Sequence, residues 1–185
     1  MSVISTPAER RLFAEVPVLI VRPVGATLPL PTVLWFHGLG ADKELHLPEL
    51  QRFAAAGFLA VGVDAVGHGQ RRLLDFEQQF AQPPAQRQQL FNTLVARTVA
   101  ELPGLLDALV DSGLSDPQRL AVAGVSMGGC ITYGAVSTDR RLRAAVALLG
   151  SPAGLFTEDV SASVAHFFPT ALLSITAEND VVVPA

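Results

Sequence analysis

Apolar residues in this chain gather into short unbroken runs: "TVLWFH" (32–37), "FLAVGVD" (58–64), "RLAVAGV" (119–125), "RAAVALLG" (143–150) and "TALLSIT" (170–176). None alternates polar with apolar positions, which is how strands buried on both faces of a sheet read. Between them, 46–56, 86–111 and 127–137 carry apolar residues at helical spacing. Strand and helix therefore alternate. That pattern predicts an α/β fold, a three-layer α/β/α sandwich around a mostly parallel, doubly wound sheet. The earlier run "VPVLIVRP" is expected to add an antiparallel edge strand. Two segments break the pattern: 65–85, rich in Gln with Pro83-Pro84, and 151–169, expected to form a short cap or lid-like segment. Both begin where a strand ends, at the sheet edge on which open α/β folds place their sites.

Composition narrows the functional classes. A length of 185 residues with 50% hydrophobic content suits one domain with a sizeable core. The charge sum of 13 basic and 17 acidic residues is −4, and every basic residue except Lys43 is an arginine, scattered singly or in pairs. No basic stripe offers itself to nucleic acid. Cys130 is the only cysteine, which leaves no disulfide framework or cysteine-rich zinc site within the chain. The first twenty residues include Glu9, Arg10, Arg11 and Glu15 where a secretory signal needs an apolar stretch, so a cytoplasmic location is expected. The most membrane-like window, 120–136, holds Gly124, Gly128, Gly129 and Gly134. Those glycines weaken a spanning helix but suit a strand, a turn and a helix in succession.

"GVSMGG" (124–129) follows one predicted strand and opens one predicted helix. A serine nucleophile at a sharp strand-to-helix turn needs small residues two positions away on either side, and Gly124 and Gly128 meet that need. The turn aims the Ser126 hydroxyl out of the sheet at a helix N-terminus, where developing negative charge is favoured. Met127 would then contribute its backbone N–H to an oxyanion hole. "WFHGLG" (35–40) closes another strand, and in this context the Leu39 N–H is the second expected donor. His37 reads as a residue that hydrogen-bonds its own loop rather than a proton shuttle. "GVDAVGHGQR" (62–71) lacks the third glycine of a dinucleotide fingerprint, since Arg72 stands there, and its His68 is expected to shape the rim of the site. Cys130, four residues into the helix from the strand end, reads as a buried packing residue.

In their order along the chain, "HGLG", "VDAVGHGQR", "DPQRLAVAGVSMGG" and "TAENDVVVP" resemble the α/β-hydrolases. Within them, the resemblance is to the esterases of the dienelactone-hydrolase and prolyl-oligopeptidase branch, most of all to small bacterial YjfP-like carboxylesterases. The resemblance spans residues 33–184 and makes 32–37 the third strand of the fold, 119–125 the fifth and 170–176 the seventh. It implies Ser126 as nucleophile, Leu39 and Met127 as oxyanion donors and Asp180 as the acid of a triad. Pro184 stands four residues beyond Asp180, as in the usual pattern, while Ala177 replaces the glycine often found three residues before it. No cofactor or metal is implied. The expected partner is a small-molecule ester substrate, with no nucleic acid or membrane involved, and the protein is expected to be a monomer or homodimer.

The histidine of such a triad lies beyond a further helix and strand, and the sequence ends at Ala185. His46 is expected to face solvent and His166 to lie near the amino edge of the sheet. His68 should lie two strand spacings from Ser126, roughly 10 Å, and the turn holding His37 must aim backbone donors at the site. None fits the base. "TALLSIT" would also be an apolar edge strand, which native proteins avoid. The expectation is therefore a single domain over 1–185 that is incomplete at its C-terminus, with the last helix and strand missing. The activity expected is acyl-enzyme hydrolysis of carboxylic esters with small or medium acyl chains. Phe76, Phe80, Leu155 and Phe156 are candidate walls of an acyl pocket. A peptidase or thioesterase of the same fold, or a non-catalytic binding protein that retains it, are the alternatives.

Overall fold

Strand and helix alternate as expected, and among the described residues all the strands join one seven-stranded sheet. The computed structural model describes residues 7–153 and 164–180. In chain order the elements are β1 (Ala8–Phe13), β2 (Val16–Val21), β3 (Leu30–Phe36), α1 (Leu47–Ala55), β4 (Leu59–Val63), α2 (Phe76–Phe80), α3 (Pro84–Asp111), β5 (Ser115–Val125), α4 (Met127–Thr138), β6 (Leu142–Leu148) and β7 (Ala171–Ile175). The sheet order is β1-β2-β4-β3-β5-β6-β7. β1 and β2 run antiparallel to their neighbours, and β4, β3, β5, β6 and β7 are parallel.

Successive side chains of a strand point to opposite faces, so one buried strand feeds two cores. In β3, Leu34 and Phe36 join Leu102, Leu105 and Leu106 of α3 and Ile131 of α4. Val33 and Trp35 face the other way, onto Leu50 and Ala54 of α1. These are the three layers the apolar runs predict. Among the described residues, no helix is long and apolar enough to cross a membrane.

Three expectations change. β2 is not the edge strand: all six of its residues are buried, because β1 covers it on the outside. β1 carries Glu9, Arg10 and Arg11 exposed, the charge that keeps a sheet edge from recruiting other chains. The irregular stretch 65–85 contains a turn of 3-10 helix at Gly69–Arg71 and the short α2. Finally, β6 stops at Leu148. Leu149 turns into the left-handed region with φ 53°, and its N–H donates to the Ile175 carbonyl at 2.7 Å.

Candidate active site

The turn from β5 into α4 is sharp. Ser126 sits at φ 56° and ψ −114°, a conformation that costs a non-glycine residue roughly 1–3 kcal/mol. Neighbouring glycines make room for it. A side chain at Gly124 would collide with the Gly128 backbone, and one at Gly128 would collide with the carbonyl of Phe36, at the end of β3. The start of α4 is therefore pressed directly onto the neighbouring strand. The Ser126 N–H donates to the Leu148 carbonyl at 2.8 Å, which ties the turn to β6 on its other side. Met127 is the first helical residue, and the N–H groups of a first turn have no acceptor within their helix. Met127 is buried as a whole, its side chain packed into the core beneath the turn.

The "HGLG" turn lies against this serine. A Cβ built on Gly38 would stand 3.7 Å from the Cβ of Ser126. Leu39 follows, exposed at the turn, and Ala41 N–H closes it by donating to the Gly38 carbonyl at 3.2 Å. Gly40 has φ 78°, a conformation glycine adopts without penalty. Both expected oxyanion donors thus lie on the two turns flanking Ser126.

His37 anchors the turn at one end. It is fully buried; its Nε2 accepts from the Ala65 N–H at 3.1 Å, and its Nδ1 lies 2.8 Å from the Gly38 carbonyl and so carries the proton. Both nitrogens are engaged, in keeping with a loop-holding histidine. Burial lowers its pKa from 6.5 to about 4. The sign of the linkage follows: the unfolded chain takes up this proton first, so stability is full above about pH 6.5 and falls as pH drops toward 4. The expected loss is on the order of 3 kcal/mol. Urea denaturation between pH 7 and 4 should show it, and His37→Gln should flatten that part of the profile.

The other end of the turn is held by a pair of charges. Lys43 and Asp64 are both fully buried, with Nζ 2.6 Å from Oδ2. Asp64 also accepts the Lys43 N–H at 3.0 Å and the Gln70 N–H at 2.9 Å. A side chain at Gly69 would overlap its carboxylate. Sequence reasoning missed this pair, since residues 43 and 64 are brought together only by the pairing of β3 with β4. The available signal was that Lys43 is the only lysine among 13 basic residues.

His68 does not shape a rim. It is fully buried between His37 and Phe76, with ring centroids at 5.2 and 5.0 Å, and its Nδ1 lies 3.0 Å from the Val66 carbonyl. Burial lowers its pKa as well. Phe76 is likewise buried, stacked on Phe80 at 4.6 Å and capped by the Arg72 guanidinium at 4.0 Å. Arg72 in turn donates to the Gly40 carbonyl at 3.2 Å. Phe76 therefore supports the turn from beneath rather than lining an acyl pocket; Leu155 and Phe156 lie outside the described residues. A polar cleft of about 440 Å³ opens beside Gly40, Ala41, Asp42, Glu44, Gln70 and Arg72, over the β3–β4 side of the sheet. Ser126 follows β5, on the other side of β3.

Asp180 follows β7, half-buried, and its N–H donates to the Ala177 carbonyl at 3.2 Å. Ser126 and Asp180 thus lie at the same, carboxyl edge of the sheet, following β5 and β7, two strands that have β6 between them and stand ~10 Å apart. Pro184 lies outside the described residues. His46 does not face solvent as expected: its ring lies 5.4 Å from that of Trp35, and Nδ1 is 3.6 Å from Glu49. His166 is exposed in the 3-10 turn Val164–Phe167 that precedes β7, at the amino edge. None of the hydrogen bonds of His37 and His68 goes to Ser126. Cys130 is buried, its Sγ accepting from the Ser151 N–H at 3.5 Å, and burial raises its pKa. It is a packing residue.

The chain is 28% identical over 177 residues to esterase YjfP of Escherichia coli K12, covering 95% of this chain and 67% of that protein. It is 32% identical over 145 residues to YitV of Bacillus subtilis 168, covering 78% of this chain and 54% of that one. The chain therefore spans between about half and two thirds of the length of these relatives. Among solved structures, the dienelactone hydrolase-like promiscuous phosphotriesterase P91 from metagenomic libraries superposes with a TM-score of 0.67 at 20% identity, over 97% of this chain and 72% of that one, which establishes the shared fold. With residues 28–182 matched by the family model for serine aminopeptidase, S33, the chain belongs to that family of α/β-hydrolases.

Proposed function

We propose that this protein is a serine hydrolase that cleaves carboxylic esters of small or medium acyl chains through an acyl-enzyme. The observation that carries the reading is the left-handed Ser126, pressed between the "HGLG" turn and the start of α4. A serine held at such a cost, with the backbone N–H groups of Leu39 and Met127 on the turns beside it, suits attack on a carbonyl. Ser126 Oγ adds to the ester carbonyl carbon, and the Leu39 and Met127 N–H groups receive the oxyanion. Collapse of the tetrahedral intermediate expels the alcohol and leaves an acyl-serine, which water then hydrolyses. Asp180 orients the imidazole of the general base, a place that none of His37, His46, His68 and His166 occupies. The named activity of YjfP favours esters over other acyl compounds.

The family's description also names a peptidase activity, so amides are the second reading. A fluorophosphonate probe applied to the native protein should add one label, at Ser126, and none to Ser126→Ala. Nitrophenyl esters and aminoacyl nitroanilides, assayed side by side, separate the two readings. Labelling that persists in Ser126→Ala, or that maps to Cys130, would overturn both.

A further inference from the structure

The end of β6 holds a second residue in a left-handed conformation. Leu149 has φ 53°, which is uncommon outside glycine, asparagine and aspartate and costly for a branched side chain. Its backbone is held from both sides. The preceding carbonyl, of Leu148, accepts the Ser126 N–H at 2.8 Å, and its own N–H donates to Ile175 at 2.7 Å. Gly150 then approaches so closely that any side chain there would collide with Gly129 and Cys130 at the start of α4. The neighbours on both sides of Leu149 are thus fixed by the nucleophile turn and by β7. The residue is 36% exposed and, at the end of β6, stands on the carboxyl edge between Ser126, which follows β5, and the loop after β7 that carries Asp180.

Resting on the esterase reading above, we infer that Leu149 is the residue that sets selectivity for the leaving alcohol. The direction of the chemistry chooses the alcohol over the acyl chain. When the tetrahedral intermediate collapses, the C–O bond to the alcohol breaks and its oxygen takes the proton that Ser126 gave up. The group that returns this proton is the one Asp180 orients, from the β7 side. One oxyanion donor, Leu39, lies on the opposite side, on the turn after β3, and the other, Met127, adjoins Ser126 itself. The alkoxy group therefore lies between Ser126 and the Asp180 side, above the end of β6, where Leu149 stands. A backbone strained to hold an apolar side chain at that place is the expected signature of a contact surface for substrate. The alcohol class it fits is small and apolar.

The test compares two ester series in the native protein, Leu149→Ala, Leu149→Phe and Ser126→Ala. One series varies the alcohol (methyl, butyl, benzyl) at fixed butyryl; the other varies the acyl group (acetyl, butyryl, octanoyl) at fixed methyl. Leu149→Ala should raise the benzyl-to-methyl ratio of kcat/KM about 10-fold or more, the discrimination typical of removing methylenes from a pocket wall. Leu149→Phe should lower it. The acyl profile should keep its shape, and the deacylation rate, in which the alcohol has already left, should be unchanged. An unaltered alcohol ratio in both variants, a uniform change across all esters, or a shift confined to the acyl series would overturn the inference and leave the esterase reading standing. Turnover in the unsubstituted protein that persists in Ser126→Ala would overturn the reading itself and this inference with it.

Discussion

Replacing Ser126 with alanine is expected to lower kcat for ester hydrolysis by on the order of 10⁶-fold, as loss of the nucleophile does in serine hydrolases, while leaving the fold intact. The substitution removes one hydroxyl. The N–H bond to Leu148 and the contact of Gly128 with the end of β3 are backbone features that alanine preserves. Circular dichroism and thermal unfolding should match the unsubstituted protein. Ser126→Gly should be just as inactive but more stable than Ser126→Ala, because glycine takes up φ 56° without the clash of a Cβ. The gain expected is about 1 kcal/mol, or a Tm higher by about 2–4 °C in a domain of this size. Equal stability of the two variants would mean that the turn stores no strain, and that its shape alone exposes the nucleophile.

Lys43→Met should cost about 3–5 kcal/mol at pH 7. Methionine fills a similar volume, so the loss measures a charge left behind: Asp64 remains fully buried without its cation. Two backbone donors still face that carboxylate. Urea denaturation at pH 7 measures this loss, and Lys43→Met/Asp64→Leu, which removes both charges, separates its causes: the double variant should recover part of the deficit, and a deficit at least as large as that of Lys43→Met would show that lost packing, not the unpaired charge, is responsible. Because Lys43 closes the "HGLG" turn, the variant should also lose activity out of proportion to its unfolded fraction.

What the sequence made legible was local. "GVSMGG" carried its own context, a strand before it and a helix after it, and the three-layer architecture followed from apolar runs without alternation. Asp180 followed from the resemblance of "TAENDVVVP" to the acid loop of the α/β-hydrolases. The supports of the turn were not legible, because they join residues distant in the chain: Lys43 with Asp64, His37 with Ala65, Arg72 with Gly40. His68 looked like a rim residue because a histidine in a glycine loop is usually accessible. Here α2 folds over it with Phe76. β1 was missed because "AERRLF" has edge chemistry, charged on both faces until Phe13. Leu149 was absorbed into an apolar run that simply continued the strand, and nothing in "ALLGSP" announces a left-handed leucine.

The contacts that shape the Ser126 turn also set when it can form. Phe36 lies far upstream of the turn and Leu148 well downstream, so β3, β5 and β6 must all be in register before the serine is held at its strained angle. Contacts so distant in sequence form late, after the entropy of closing long loops has been overcome. A collapsed chain with its helices formed but β6 undocked would carry an ordinary, unreactive serine. In a refolding experiment, the appearance of fluorophosphonate reactivity would thus report completion of the central sheet, later than the recovery of helical signal.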